Sequence, residues 1–517
     1  MHPVSSLDAA MLYAETAEMP LHTMGVVLID APPRWRGSPL EVMRRTLRER
    51  IHQVTPFRRR LVEGPLGLGD PHWIEDPRFD LERHLHVAEL PPPRGRKELA
   101  AFVGEYAGRT LDRGKPLWEM VLIPKLASGQ VAVIAKIHHA AMDGGRLVGM
   151  LRQLFDEQPR RRRVPPAIEP WVPDPEPSKA WLAADAARAV VVRPWHAAEA
   201  LVEVAETLVA RSRHGHRDEP SASDAPVAEP TVGHPAKLFE APPTPFNGAL
   251  TPHRSVALAD VAFRDLVQVK EAFDGTINDV VLAASTAALR SWLLAHGGLP
   301  ERPLVANVPV TVRGKGEADA GNRVSMILAH LPVRTADPLA RLAAIHAETQ
   351  RAKERHGGGG AGGDVLRQFT DVVTNLTAPW LLTHVVQLYS ASHLANWLPF
   401  FWNLVISNLP GPPVPLYCEG GRVRCVYPLG PVQQGSGLNL TVMSTADRLC
   451  LGALACMEMV PDVEDIARGF VDEVAVLREL AKPRRRVRAP RRAALRAGSR
   501  PRRESPRGRA RVGSATP

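Results

Sequence analysis

At 517 residues with 44% hydrophobic side chains, the chain exceeds one ordinary core and has apolar content for two or more, which excludes a small disulfide- or metal-stapled module. Its four cysteines, Cys418, Cys425, Cys450 and Cys456, lack metal-ligand spacing, and residues 1–12 lack a basic segment followed by an apolar stretch, so a cytoplasmic setting without a secretory signal is expected. The net charge of +10 is local: residues 482–517 hold thirteen arginines and Lys482 against Glu504 alone, a surplus of 13 that leaves the rest at −3.

In chain order, periodicity predicts a strand over 24–29, a helix over 39–54, and strands over 120–123 and 131–137. Residues 157–178 carry seven prolines and the arginine run 160–163, an exposed extended connection. A long Ala-rich helix follows over 179–213, with Trp181, Val190, Leu201, Val204 and Leu208 among its apolar positions and a break near Pro194; 214–235 is loose again. The whole of 156–245 therefore reads as a crossover between an amino-terminal domain, 1–155, and a carboxy-terminal one, 246–481. The second is expected to hold a helix over 277–294, strands over 304–312 and 324–333, and a helix over 339–353. The glycine-rich stretch HGGGGAGGD, 356–364, lacks the lysine of a phosphate-binding loop and is assigned no nucleotide. Residues 372–404, rich in Leu, Val and Trp, include His384, His393, Asn396 and Pro399, which argues against a membrane span. Buried helices are the simpler account of them, and docking on lipid the other.

The tail, 482–517, has no aromatic residue and too little apolar content to fold, so disorder is expected. A solvated extension, an arm on an anionic lipid surface, and a nucleic-acid arm all fit its charge. Nucleic acid is the least favoured, because the tail offers no ring on which bases could stack.

The most informative run is 131–144, an apolar strand that ends in His138 and His139, then Ala140, Ala141, Met142, Asp143 and Gly144. Side chains alternate along a strand, so the two histidines point to opposite faces, which argues against a metal site. A neutral imidazole at a sheet rim can take a proton from a hydroxyl as it attacks a carbonyl. Asp143, beside flexible Gly144, sits on a tight turn where its carboxylate folds back on the backbone or pairs with an arginine, Arg313 being a candidate. Taken alone, such a histidine pair is more often a satisfied or solvent-facing pair than a catalytic centre.

The spacing HHxxxDG, here HHAAMDG, resembles the active-site motif of the large coenzyme A-dependent acyltransferase group. Further segments are similar, in order, to the bacterial wax ester synthase/diacylglycerol acyltransferase family: Ser6-Leu7-Asp8, Pro20-Leu21-His22, PFRRRL at 56–61, residues 73–76 and 79–81, and RGKPLWE at 113–119. PFNG at 245–248, TINDVVLA at 276–283, GNRVS at 321–325 and SNLPGP at 407–412 continue the series, so the resemblance spans about 5–480.

That resemblance implies an α/β fold of two chloramphenicol-acetyltransferase-like sandwich domains around a central substrate channel, joined by the Pro-rich and helical crossover. It implies an acyl-CoA donor, with diacylglycerol or a long-chain fatty alcohol as acceptor, direct transfer in a ternary complex, and no bound cofactor or metal. His139 would be the general base, His138 a supporting residue and Asp143 an orienting one. Asn278, at a helix start, would be either an oxyanion donor or an ordinary helix cap. Pro116, Leu117, Trp118, Gly144, Asp279, Asn408 and Gly411 would contact substrate, although for Trp118 packing beneath the histidine strand is the better reading. Partners would be the two substrates and, peripherally, the inner membrane face or a lipid inclusion. The alternatives are a condensation-type transferase using carrier-bound acyl groups, or a silent lipid-surface or nucleic-acid-binding protein.

Overall fold

The computed structural model describes residues 1–33, 35–69, 71–142, 144–165, 171–189, 191–192, 240–311, 324–357 and 379–482. Asp143, Arg313, most of the crossover, most of the glycine-rich stretch and the arginine tail lie outside them. Met1–Ala481 is one compact unit and Lys482–Pro517 another.

The first unit is a mixed α/β structure with two sheet-rich domains. Among the described residues its strands are β1 (His2–Pro3), β2 (His22–Asp30), β3 (Arg59–Val62), β4 (His72–Glu75), β5 (Leu85–Val87), β6 (Trp118–Ile123), β7 (Val131–His138), β8 (Arg254–Ala262), β9 (Leu304–Thr311), β10 (Val324–Leu331), β11 (Leu404–Leu409), β12 (Tyr417–Cys418), β13 (Gly421–Leu429), β14 (Leu438–Ser444) and β15 (Arg448–Cys456). Its helices are α1 (Ser6–Ala14), α2 (Pro39–Arg50), α3 (Arg96–Ala107), α4 (Gly144–Leu154), α5 (Phe263–Ala272), α6 (Ile277–Ala295), α7 (Pro338–Gly357), α8 (Pro379–Ala391) and α9 (Val463–Ala481).

One six-stranded sheet runs β12-β13-β2-β7-β6-β5 and the other β10-β9-β11-β14-β15-β8, while β1, β4 and β3 form a small third sheet. Every other strand and helix expected from periodicity is present within a few residues of its predicted ends; of the expected helix over 179–213, residues 179–189 are helical and most of the rest lies outside the described residues. The first sheet contains a pair that the sequence reading lacked. β13, from far down the chain, pairs antiparallel with β2, so one strand pair in the first sheet joins residues from either side of the expected crossover at 156–245.

The two sheets pack through β13, β15 and β8 around a shared core of Val26, Ile134, Tyr427, Leu258 and Leu454. Their approach is close: a Cβ on Gly452 of β15 would lie 1.9 Å from the Pro428 carbonyl oxygen of β13. Asp260 of β8 ties the seam, accepting from Tyr427 at 2.8 Å and Arg96 at 2.9 Å. On its other face the first sheet packs on α2 and α4, and the second packs on α5, α6 and α9.

One expectation fails here. Of the 372–404 segment, 372–378 lie outside the described residues and the rest is buried on one side only: Ser390, Ala395, Asn403 and Leu404 are buried, whereas Leu381, Val385 and Leu388 of α8, and Leu394, Trp397, Leu398 and Phe401 beyond it, are exposed. An apolar composition shows how much grease a segment carries but not which face is covered.

Candidate active site

β7 is central in its sheet, flanked by β2 and β6, and all eight of its residues are buried. Val133, Ala135 and Ile137 face α2 and α4, whereas Ala132 and Ile134 face the other sheet. The ladder continues one residue past the strand, because the His139 N–H donates to the Leu21 carbonyl at 2.9 Å. His139 thus follows the α2/α4 register and His138 the inter-sheet register, as alternation requires.

His138 is 1% exposed and pairs across the ladder with His22, ring centroids 5.7 Å apart. Its Nδ1 accepts the Ala140 N–H at 3.1 Å, which leaves the ring proton on Nε2, facing Glu15 Oε1 at 3.6 Å. His22 Nε2 lies 3.3 Å from the same oxygen. Arg113 grips the other carboxylate oxygen from Nη2 at 2.8 Å and Nε at 3.1 Å. Burial disfavours the imidazolium, pushing His138 down to about 3 and lowering His22 too. Burial alone would raise Glu15, but the close imidazole of His22 and the Arg113 guanidinium hold it at about 2. The same face carries Lys136, fully buried, with Nζ 2.9 Å from the Arg109 carbonyl; burial lowers it to about 8. His138 is therefore a neutral clamp: its ring takes the Ala140 N–H, and its carbonyl takes those of Ala141 and Met142 at 2.9 and 3.2 Å.

The loop so folded lines a cavity of about 540 Å³, a size typical of small-molecule sites. Ala140, Ala141 and Met142 form one wall, Arg146, Gly149 and Met150 of α4 another. Ser5 and Asp8 of the α1 cap, Pro56, Arg59 and Trp73 complete it, so three of the motif segments converge there. His139, immediately before this loop, is half-buried and is not among the described residues lining the cavity. All the lining residues fall between His2 and Gln153. A more open hollow of about 750 Å³, lined by Trp35, Arg36, Arg45, Arg160, Arg161 and Glu419, holds none of the histidine motif. There Arg45 and Arg161 both reach Glu419.

Other expected site residues have structural duties. Trp118 is 1% exposed, stacked between Phe57 and His84, with its indole N–H donating to the Phe57 carbonyl at 2.8 Å; it braces β7 as a cross-strand partner of Ile137. Pro116 and Leu117 are buried beside it, and the Leu117 carbonyl accepts the His138 N–H at 3.0 Å. Asp279, expected to contact substrate, is held within the helix start. It is fully buried in a capping box with Thr276 and accepts from Thr349 at 2.6 Å and His346 at 2.9 Å. Burial would raise its carboxyl, but the bonds from Thr349, His346 and Thr276 hold it low. Thr276 being the cap, Asn278 sits half-buried at the second helical position, and it does not appear among the described residues lining the cavity.

Gly411 is a packing requirement: a Cβ there would lie 1.8 Å from the Ser444 carbonyl oxygen. Asn408 lies in β11 opposite Val442, and its neighbour Leu409 packs against the core holding Met142 and Leu147, so the strand that opens SNLPGP reaches α4, the helix after the histidine loop. Gly144 opens α4. Among the described residues no group of three His, Cys, Asp or Glu could hold a metal ion.

Sequence reasoning missed Glu15, Arg113 and Lys136 as members of the histidine cluster. The one local signal was Lys136 itself, a charged residue two places before His138 on the same strand face.

Comparison with known proteins decides the lineage. Residues 4–281 match the wax ester synthase/diacylglycerol acyltransferase catalytic domain and 320–478 match the C-terminal domain of the same family. The chain belongs to the wax ester synthase/diacylglycerol acyltransferase family. A candidate diacylglycerol O-acyltransferase of Mycobacterium tuberculosis H37Rv is 35% identical over 493 residues, covering 93% of this chain and 90% of that protein. A second, from strain CDC 1551, is 33% identical and covers 93% and 97%. The solved wax ester synthase/diacylglycerol acyltransferase of Marinobacter aquaeolei VT8 superposes with a TM-score of 0.63 at 26% identity, over 93% of this chain and 99% of that one. The starter condensation domain of rhizomide synthetase shares the fold, with a TM-score of 0.50 at 16% identity over 93% and 94%. As a member of this family, the protein is an acyltransferase.

Proposed function

We propose that the protein is an acyl-CoA-dependent O-acyltransferase that esterifies diacylglycerol, long-chain fatty alcohols, or both. The observation that carries this reading is the His138 clamp, which folds the loop after His139 into the wall of a cavity built from the family's other amino-terminal motifs. In this reading His139 takes the proton of the acceptor hydroxyl as its oxygen attacks the thioester carbonyl. A C–O bond forms, the tetrahedral intermediate collapses with cleavage of the C–S bond, and the imidazolium returns the proton to the departing thiolate. Because the thioester is already activated, juxtaposing donor and acceptor suffices and no acyl-enzyme is required. Each buried methylene of a fatty chain adds roughly 0.8 kcal/mol of binding. The enzyme would need no resident cofactor and would work in the cytoplasm at a membrane or lipid-inclusion surface.

The test is incubation of purified protein with labelled palmitoyl-CoA and either hexadecanol or dioleoylglycerol. Wax ester or triacylglycerol is expected with the wild type and not with His139→Ala. Absence of ester with every alcohol would refute the reading, and transfer from a carrier-bound acyl group alone would favour the condensation-type alternative.

A further inference from the structure

α8 is apolar on two sides. Its inner stripe holds Leu382, packed against the cluster of Leu12, Tyr13, Trp73 and Ala140, and Val386, packed against the inter-sheet core. Ser390 fixes the helix end by donating to Glu18 at 3.0 Å and accepting from Gln434 at 2.6 Å. The outer stripe is Leu381, Val385 and Leu388, spaced four and three residues apart and hence on one face, with Leu388 69% exposed. It continues into Leu394, Trp397 and Phe401, of which Trp397 is 83% exposed. A helix that is already docked by its inner side and still shows water a row of large apolar residues marks an interaction surface.

The charge pattern selects the partner. Residues 372–418 contain no Asp, Glu, Lys or Arg, in a chain that is 23% charged. Such a face has nothing with which to steer or register a charged protein surface. It suits a lipid interface, where Leu and Phe enter the acyl boundary and an exposed indole sits at headgroup level. No described helix is long and apolar enough to cross a membrane, so the face would lie on the surface. Beneath it lies α1, whose first turn, with its Ser5 cap and Asp8, lines the cavity beside the histidine loop.

We propose that the outer face of α8, together with Leu394, Trp397 and Phe401, docks the protein on an uncharged lipid surface. The purpose rests on the acyltransferase reading, since that reading draws acceptors from such a surface; the binding itself does not. The arginine tail is not required.

The test is flotation of the full chain with phosphatidylcholine vesicles, comparing the wild type with a Leu388→Glu/Trp397→Glu double variant and with Val476→Glu, an exposed apolar position on α9. Wild type and Val476→Glu are expected to float, while the double variant, melting at the wild-type temperature, partitions at least about tenfold less. The indole emission of the wild type should shift to the blue on binding, and that of Trp397→Phe should shift less. Equal flotation of the double variant overturns the proposal, as does wild-type binding confined to anionic vesicles. A wild-type dimer that the double variant dissociates overturns it too, by assigning the face to a second copy. Ester formation in detergent is scored separately, so loss of binding and loss of chemistry are distinguishable.

Discussion

Glu15 Oε1 lies within 3.3 Å of one imidazole and 3.6 Å of another, and it carries a charge that Arg113 keeps in place. The arrangement orients His138, and through the Ala140 N–H it orients the loop that follows His139. Glu15→Gln keeps the shape and removes the charge. The expected outcome is a fall in kcat of about 10–100-fold with KM little changed, because a shift of the loop misplaces the base without emptying the cavity. Restoration by Glu15→Asp would mark the carboxylate as the positioning group; kcat unchanged in Glu15→Gln would remove it from the account. The same burial sets a pH response. Folded His138 and His84 titrate near 3 and 4, and His22 is lowered, all beneath the usual imidazole value near 6.5. The unfolded chain therefore binds protons first as pH falls below 6.5, and stability is lost from there downward. Glu15, folded near 2, adds its own loss only below the usual carboxylate value near 4.5. A melting temperature that drops between pH 7 and pH 5 is expected, and a flat profile would show these rings are not held neutral by burial.

At the scale of elements, what could be read depended on whether the signal was local. β7 was legible from its apolar run, and the opposite faces of His138 and His139 followed from strand alternation. Asp279 was expected as a substrate contact, and Thr276 three residues before it is a capping-box spacing: the aspartate caps the helix start. The packing need of Gly411 was not legible for another reason, since it is an approach to Ser444 on a strand far along the chain. Gly411→Ala should cost about 1–3 kcal/mol, because a backbone carbonyl rather than a mobile side chain stands in the way. Denaturant unfolding measures this, and a loss below a few tenths would mean that β11 and β14 part freely at that point.

For the whole molecule, the order of the motifs was legible and the two sheet-rich domains came only through the family resemblance, but the pairing of β13 with β2 was not legible, because strand partners separated by some four hundred residues leave no periodic trace. Glu15 escaped for the same reason, being joined to His138 only by the fold. The charge of the tail was legible, and its consequence is testable: since its residues bring no group that the proposed chemistry uses, truncation before Lys482 should spare turnover in detergent. A fall in kcat on truncation would give the tail a part in the chemistry. The most direct measurement of the central claim is the rate of ester formation by His139→Gln, which fills the space of the imidazole but cannot accept the proton. The account predicts a loss of about 10²–10⁴-fold in kcat with the melting temperature unchanged. A rate within a few-fold of the wild type would contradict it.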